Sequence, residues 1–185
     1  EAEKISFKLT DEELRARVDY RDKTVITIDP YDAKDFDDAL SIEELENGNY
    51  SVGIHIADVS HYVAKKSKLN DEALIRGNSI YLVGTVIPML PEKLSNGICS
   101  LVPNEERLTY SVIAELTVNG KLVDYQIKKT IIKSKRRFTY EEVQTIIDDK
   151  AGELYEDINK LNTLAITLRK KRMREVSIEF STAEI

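Results

Sequence analysis

The chain contains few of the residues on which extracellular and membrane proteins depend. Its 185 residues include one cysteine and no tryptophan, so an intrachain disulfide is excluded and a reducing compartment is favoured. No apolar stretch approaches the roughly 20 residues of a membrane-spanning helix, and no secretory leader is recognisable. We predict a cytoplasmic protein without membrane contact, in which Cys99 fills the core.

Histidine is also scarce, which limits the chemistry available to the chain. The two histidines, His55 and His61, lie outside any recognisable nucleophile motif, and we expect both to serve in packing. Hydrophobic residues make up 42% of the chain and charged residues 32%, which is typical of a globular domain. Basic residues concentrate in the final third, as in R-K-K-R at 169–172, where they could face solvent or a phosphate backbone.

Acidic residues are concentrated in one short run. Five of the ten residues from Asp29 to Asp38 are aspartates, within T-I-D-P-Y-D-A-K-D-F-D-D-A-L. Carboxylates at this density repel one another unless cations or hydrogen-bond donors neutralise them. Because apolar stretches flank the run on both sides, we expect a loop between two buried strands. A set of oxygen ligands suits Mg²⁺, or Mn²⁺ in its place, better than zinc.

Two other interpretations compete with a hard-cation site of this kind. An aspartate-rich stretch is commonly a solvated loop, but a solvated loop has no need of core strands on both sides. An EF-hand calcium loop requires Gly at its sixth position and Glu at its twelfth. Counting from Asp29, those positions hold Lys34 and Leu40. The sequence therefore favours the hard-cation site over both alternatives.

Local patterns predict an α+β fold, with a mixed or mainly antiparallel sheet and flanking helices. Asn47-Gly48 and Asn119-Gly120 each lie between apolar runs, which is a strong signal for a β-hairpin. The paired segments are 39–45 with 50–57, and 111–118 with 121–132.

Helices are predicted from capping boxes and apolar periodicity. The pattern T-x-x-E occurs at Thr10 and at Thr139, and each indicates a helix start. The first of these helices is expected over 10–18. Two further helices are expected, one at 70–76 ended by Gly77 and a long one covering 154–168. Residues 81–91, with two prolines, are expected to form an extended loop. The end of the chain, at 176–180, is expected to be strand-like.

Three stretches, read together, resemble a known family. They are T-I-D-P-Y-D-A-K-D-F-D-D-A-L, then G-I-H-I-A-D-V-S-H-Y-V, then I-P-M-L-P-E-K-L-S. In this order they resemble the catalytic (RNB) domain of the ribonuclease II and ribonuclease R family, and R-F-T-Y-E-E-V-Q extends the resemblance more weakly. The resemblance implies a truncated RNB-like catalytic domain, with 23–185 as its N-terminal part and 1–22 as a linker with a short helix.

The family's activity implies specific roles for the aspartates. Its members are processive, hydrolytic exoribonucleases that degrade single-stranded RNA from the 3′ end to nucleoside 5′-monophosphates, with Mg²⁺ held by four aspartates. Those four match Asp29, Asp35, Asp37 and Asp38, which leaves Asp32 as a bystander. Asp37 resembles the residue on which catalysis depends most. Paired metal ions suit this chemistry, because they can activate water and stabilise the leaving oxygen.

The resemblance also implies an aromatic clamp on the RNA and a longer parent chain. Tyr81 matches the tyrosine of the family's clamp and Phe180 its phenylalanine, although Phe180 is equally well read as a core residue. The family domain continues through a Ser-Pro-Ile-Arg-Arg-Tyr segment, and small RNA-binding barrels flank it. None of these is expected within this chain, so we expect weak or no activity from the chain alone. The rival readings are a non-catalytic RNA-binding scaffold and a calcium-binding structural domain.

Overall fold

A seven-stranded sheet forms the centre of the computed structural model, which describes residues 2–7 and 9–175. Two further strands form a separate hairpin within that part of the chain. The strands are β1 (Val18–Tyr20), β2 (Val25–Asp29), β3 (Asp38–Glu44), β4 (Tyr50–Ala57), β5 (Ile80–Leu82), β6 (Thr85–Ile87), β7 (Glu106–Leu116), β8 (Leu122–Lys133) and β9 (Arg136–Thr139).

The helices lie before, between and after the strands. Both predicted capping boxes are present, with the Thr10 and Thr139 side chains each accepting a hydrogen bond from the backbone three residues later. None of the described helices is long and apolar enough to cross a membrane. The α-helices are α1 (Asp11–Arg15), α2 (Val59–Tyr62), α3 (Lys68–Arg76), α4 (Tyr140–Asp149) and α5 (Tyr155–Glu175), with a 3₁₀ turn at Ala2–Lys4 and a π-helical turn at Lys93–Ile98.

The sheet is mixed and mainly antiparallel, which confirms the predicted fold class. Its strand order is β1-β8-β7-β4-β3-β2-β9. The outermost pairs, β1 with β8 and β2 with β9, are parallel, while the inner pairs are antiparallel. Both Asn-Gly hairpins form as predicted, and Gly48 and Gly120 adopt positive φ angles of 78° and 70°, which glycine reaches without steric cost.

Two local predictions were wrong. The first helix ends at Arg15 rather than Val18, because Val18 starts β1 and pairs with Thr130 of β8. The segment around Tyr81 forms the β5–β6 hairpin instead of an extended loop. Its two prolines follow the second strand, so they remove no hydrogen bond from the ladder. The predicted strand at 176–180 lies outside the described residues, and the domain boundary at residue 22 stays a prediction.

Side-chain alternation along the strands gives the sheet two apolar faces. On one face, Leu164 of α5 packs against Ile42 and Val52. On the other, Cys99 lies in a buried cluster with Leu94 and other apolar residues, which confirms its predicted role as core filler. These two layers pack against opposite faces of the central strands.

The histidines also serve in packing, as predicted. His55 is fully buried on β4. Its ring nitrogens hydrogen-bond to Ser41 Oγ and Ser111 Oγ on the neighbouring strands. His61 lies 3.5 Å from a carboxylate oxygen of Glu13. The His61 ring also packs edge-on against the Tyr62 ring, with the ring centres 4.9 Å apart.

Candidate metal-binding site

The aspartate loop, defined as residues 29–38, connects two neighbouring strands of the sheet. Asp29 is the last residue of β2 and Asp38 is the first residue of β3. These strands pair antiparallel, with Ile26 opposite Leu40, so both ends of the loop lie at the same edge of the sheet. The predicted loop between two strands with buried residues is therefore confirmed.

The carboxylates of the loop perturb one another. The pKa of Asp29 is raised, chiefly by burial and further by the charges of Asp38 and Asp35. The pKa of Asp37 is also raised; neighbouring protein atoms displace part of its hydration, and Asp35, Asp38 and Asp29 add their repulsion. The four matched aspartates thus lie within electrostatic range of one another. Asp32 is exposed to solvent, but Asp37 and Asp38 are exposed as well, so its assignment as a bystander stays a prediction.

The donor atoms of the loop fit a hard cation. Asp29 Oδ2 is buried and has no hydrogen-bond partner, although Thr27 and Arg137 act to lower the pKa of this carboxyl group; a metal ion stabilises an anionic oxygen in such a position. Among residues 2–7 and 9–175, however, no three carboxylate, imidazole or thiol groups converge on one metal-binding point. Carboxylates on a loop can turn about χ1 and χ2 toward a cation. The assignment of Asp29, Asp35, Asp37 and Asp38 as metal ligands stays a prediction.

Tyr81 lies beside the loop, although 46 residues separate it from Asp35. Its hydroxyl donates a hydrogen bond to Asp35 Oδ2 at 2.9 Å, and this bond is the main reason why the pKa of Tyr81 is raised. The side chain is 65% exposed, so its ring is open to a ligand. Phe180, the other residue matched to the aromatic clamp, lies outside the described residues. The clamp itself stays a prediction.

Sequence reasoning missed two residues that contact the backbone of the loop. Arg137 donates hydrogen bonds to the carbonyl oxygens of Pro30 and Tyr31. Ser100 bonds the backbone of the second half of the loop. These contacts join positions 106 and 64 residues apart in the sequence. No local pattern signals a bond to a backbone carbonyl over such a distance.

Comparison with known proteins places this arrangement in context. The model of the RNB domain family matches residues 17–185. Ribonuclease R of Thermotoga maritima is 56% identical over 137 residues, which make up 74% of this chain and 19% of that protein. Ribonuclease R of Mycoplasma genitalium, solved in complex with ribose methylated single-stranded RNA, matches 99% of this chain and 29% of its own, with 32% identity and a TM-score of 0.92.

A more distant structure shares the fold alone. Yeast Ssd1, a pseudonuclease, matches 90% of this chain and 21% of its own with a TM-score of 0.80 and 19% identity. This chain spans between 19% and 29% of the length of these three relatives. The activity of a whole relative therefore cannot be transferred to it from shape.

Proposed function

We propose, since the chain belongs to the RNB domain family, that it supplies the metal-binding part of a 3′-to-5′ exoribonuclease. The parent protein would hydrolyse single-stranded RNA from its 3′ end and release nucleoside 5′-monophosphates. Similarity to proteins named ribonuclease R supports the activity, and one of these was solved with single-stranded RNA. The buried free thiol of Cys99 suits a reducing compartment, so we place the parent in the cytoplasm.

The observation that carries the proposal is the crowding of carboxylates on the aspartate loop. The pKa values of Asp29 and Asp37 are both raised, so the folded protein holds these charges at a cost in free energy. Asp29 Oδ2 lacks a hydrogen-bond partner as well. A divalent cation would offset both costs, because it attracts all the carboxylates at once.

Each residue of the site has a distinct task in this proposal. Asp29, Asp35, Asp37 and Asp38 would hold Mg²⁺, or Mn²⁺ in its place, and turnover depends most on Asp37. Bound metal ions would lower the pKa of the attacking water and neutralise charge on the departing 3′ oxygen. The Tyr81 hydroxyl orients Asp35, while its exposed ring offers a stacking surface worth about 1–3 kcal/mol per base. Stacking of this kind tolerates every base, as a non-specific nuclease requires.

The main alternative is a non-catalytic RNA-binding scaffold with the same fold. Shape does not separate the two, because a pseudonuclease also matches this fold. The intact aspartates favour the nuclease, since a scaffold has no need of a charge cluster that destabilises the folded chain without metal. A calcium-binding structural domain is a further alternative. It predicts thermal stabilisation by Ca²⁺ in a protein that leaves RNA uncut.

Degradation of RNA by the full-length parent tests the proposal. Single-stranded RNA labelled at its 5′ end should shorten stepwise with Mg²⁺ when it is cut from the 3′ end. Asp37→Asn should abolish the shortening and leave RNA binding, measured by fluorescence anisotropy, nearly unchanged. Asp32→Asn removes one negative charge from the same loop and should keep the wild-type rate, so it serves as the matched control.

The outcomes separate the alternatives. Intact RNA after incubation with the wild-type parent would favour the scaffold. Wild-type turnover by Asp37→Asn would show that the role given to Asp37 is wrong. For the 185-residue chain alone we expect weak or no degradation, because the family's arginine-bearing segment is not recognisable in its sequence. Robust degradation by this chain would contradict that expectation.

A further inference from the structure

The aspartate loop must be held by contacts from outside itself. It forms no regular secondary structure between β2 and β3. A backbone hydrogen bond of 3.1 Å from Ala33 N to Pro30 O closes one turn within it. Metal-binding groups need their geometry fixed to within about 0.5 Å, which a single turn cannot provide. Ala57 N donates a hydrogen bond to Asp37 O at 2.9 Å at the end of the loop, and two side chains from elsewhere in the fold, the two anchors, bond the backbone of its two halves.

The first half of the loop is held by Arg137 of β9. This strand runs parallel to β2 with Arg137 opposite Thr27, so the guanidinium extends toward the start of the loop. Its Nη2 donates hydrogen bonds to the carbonyl oxygens of Pro30 and Tyr31, the latter at 2.9 Å. The guanidinium carbon lies 5.5 Å from the centre of the Phe36 ring. Charge-assisted hydrogen bonds of this kind are about twice as strong as neutral ones.

The second half of the loop is held by Ser100, which is fully buried. Its hydroxyl accepts a hydrogen bond from Phe36 N at 3.0 Å and donates one to Lys34 O at 2.8 Å. The next residue, Leu101, donates its backbone N–H to Phe36 O at 2.9 Å. The backbone is therefore fastened on both sides of Asp35.

We propose that Arg137 and Ser100 are positioning residues of the metal site, which hold the two halves of the aspartate loop so that its carboxylates meet the cation together. This inference rests on the proposed function and adds to it the residues that fix the site's geometry. Both residues bond the backbone of the loop, and the charge of Arg137 in addition acts to lower the pKa of Asp29. Removing partners that orient metal ligands changes metal affinity or activity about 10- to 100-fold. Their loss should impair metal binding and turnover and leave RNA binding intact.

Single substitutions in the full-length parent test this inference. Arg137→Gln and Ser100→Ala each remove one anchor. Arg136→Gln is the matched control, because Arg136 neighbours Arg137 on β9 but pairs with Glu142 and Glu153 at 3.0 and 3.2 Å. The measured quantities are kcat, KM for RNA, and the Mg²⁺ concentration that gives half-maximal hydrolysis. Both anchor variants should raise that concentration or lower kcat about 10- to 100-fold, with KM for RNA little changed.

A conservative variant guards against loss of folding. Arg137→Lys keeps the positive charge but lacks the rigid planar guanidinium that directs Nη2 toward both carbonyl oxygens, so its effect should fall between those of wild type and Arg137→Gln. Thermal unfolding shows which variants are folded. If Arg137→Gln does not fold, Arg137→Lys and Ser100→Ala decide. The inference would be overturned if the folded anchor variants had the same kcat, KM for RNA and Mg²⁺ dependence as Arg136→Gln.

Binding of Mn²⁺ alone, followed by electron paramagnetic resonance, separates this inference from the proposed function. If the wild-type parent binds Mn²⁺ but leaves RNA intact, the proposed function fails. Weaker Mn²⁺ binding by Arg137→Gln than by Arg136→Gln would still support positioning in that case, and equal binding would overturn it. A wild-type parent that binds no Mn²⁺ overturns both.

Discussion

Acid should destabilise this protein below neutral pH because His55 is buried as a neutral imidazole. Burial lowers the pKa of His55 from 6.5 to about 4. As the pH falls, His55 is therefore protonated near pH 6.5 in the unfolded chain but only near pH 4 in the folded protein. The contribution of His55 to the free energy of unfolding is fully present above pH 6.5. It falls as the pH drops below 6.5 and reaches its lowest value below about pH 4. At about 1.4 kcal/mol per pKa unit, the total loss is about 3 kcal/mol.

Urea unfolding of two proteins between pH 7.5 and pH 4.5 measures this effect. Wild type is compared with His55→Gln, whose side chain can still hydrogen-bond to Ser41 and Ser111 but does not titrate. The carboxylates titrate in both proteins, so their effect cancels in the difference between the two free energies of unfolding. The pH dependence that remains is that of His55. Parallel curves for wild type and His55→Gln would refute the reasoning.

The remaining predictions concern the buried ion pair and the start of α4. Arg17→Ala should lower the free energy of unfolding in urea by about 3–5 kcal/mol, because it leaves Asp58 as a buried charge without its partner; the pair lies at 2.6 Å with side chains 3% and 1% exposed. Thr139→Ala removes the capping box and should lower the free energy of unfolding, measured by thermal unfolding, by about 1 kcal/mol. Thr139→Ser keeps a hydroxyl at this position and should retain most of that stability.

Local sequence patterns predict those parts of the fold that depend on neighbouring residues. The Asn-Gly hairpins follow from the need for a positive φ angle at Gly48 and Gly120. The aspartate loop follows from a cluster of like charges between two apolar stretches. The β5–β6 hairpin was not predicted. Its six strand residues are all exposed, so its sequence does not alternate between apolar and polar residues as that of a half-buried strand does. Apolar residues at helical spacing also led to a predicted first helix that extends beyond Arg15. In the structure, Val18 instead pairs with β8.

The anchors of the loop could not be predicted for a different physical reason. Arg137 and Ser100 bond to backbone atoms, and every residue type other than proline presents the same N–H and C=O groups. Such contacts leave no complementary side chain to recognise. They also join distant positions, which only the folded sheet brings together. Tyr81 was singled out because its position matches the tyrosine of the family's clamp, although its bond to Asp35 has no local signal.

The backbone contacts of the aspartate loop do not depend on the aspartate side chains. Arg137 and Ser100 hold the loop through carbonyl and amide groups, so replacing the aspartates would leave both anchors in place. Such replacement would also remove repulsion and the buried, unpartnered oxygen of Asp29, which makes loss of the carboxylates easy for the fold to tolerate. A TM-score of 0.80 to a pseudonuclease is therefore compatible with either function. The proposed nuclease function therefore rests on similarity to proteins named ribonuclease R and on four side chains, those of Asp29, Asp35, Asp37 and Asp38, rather than on the sheet that holds them.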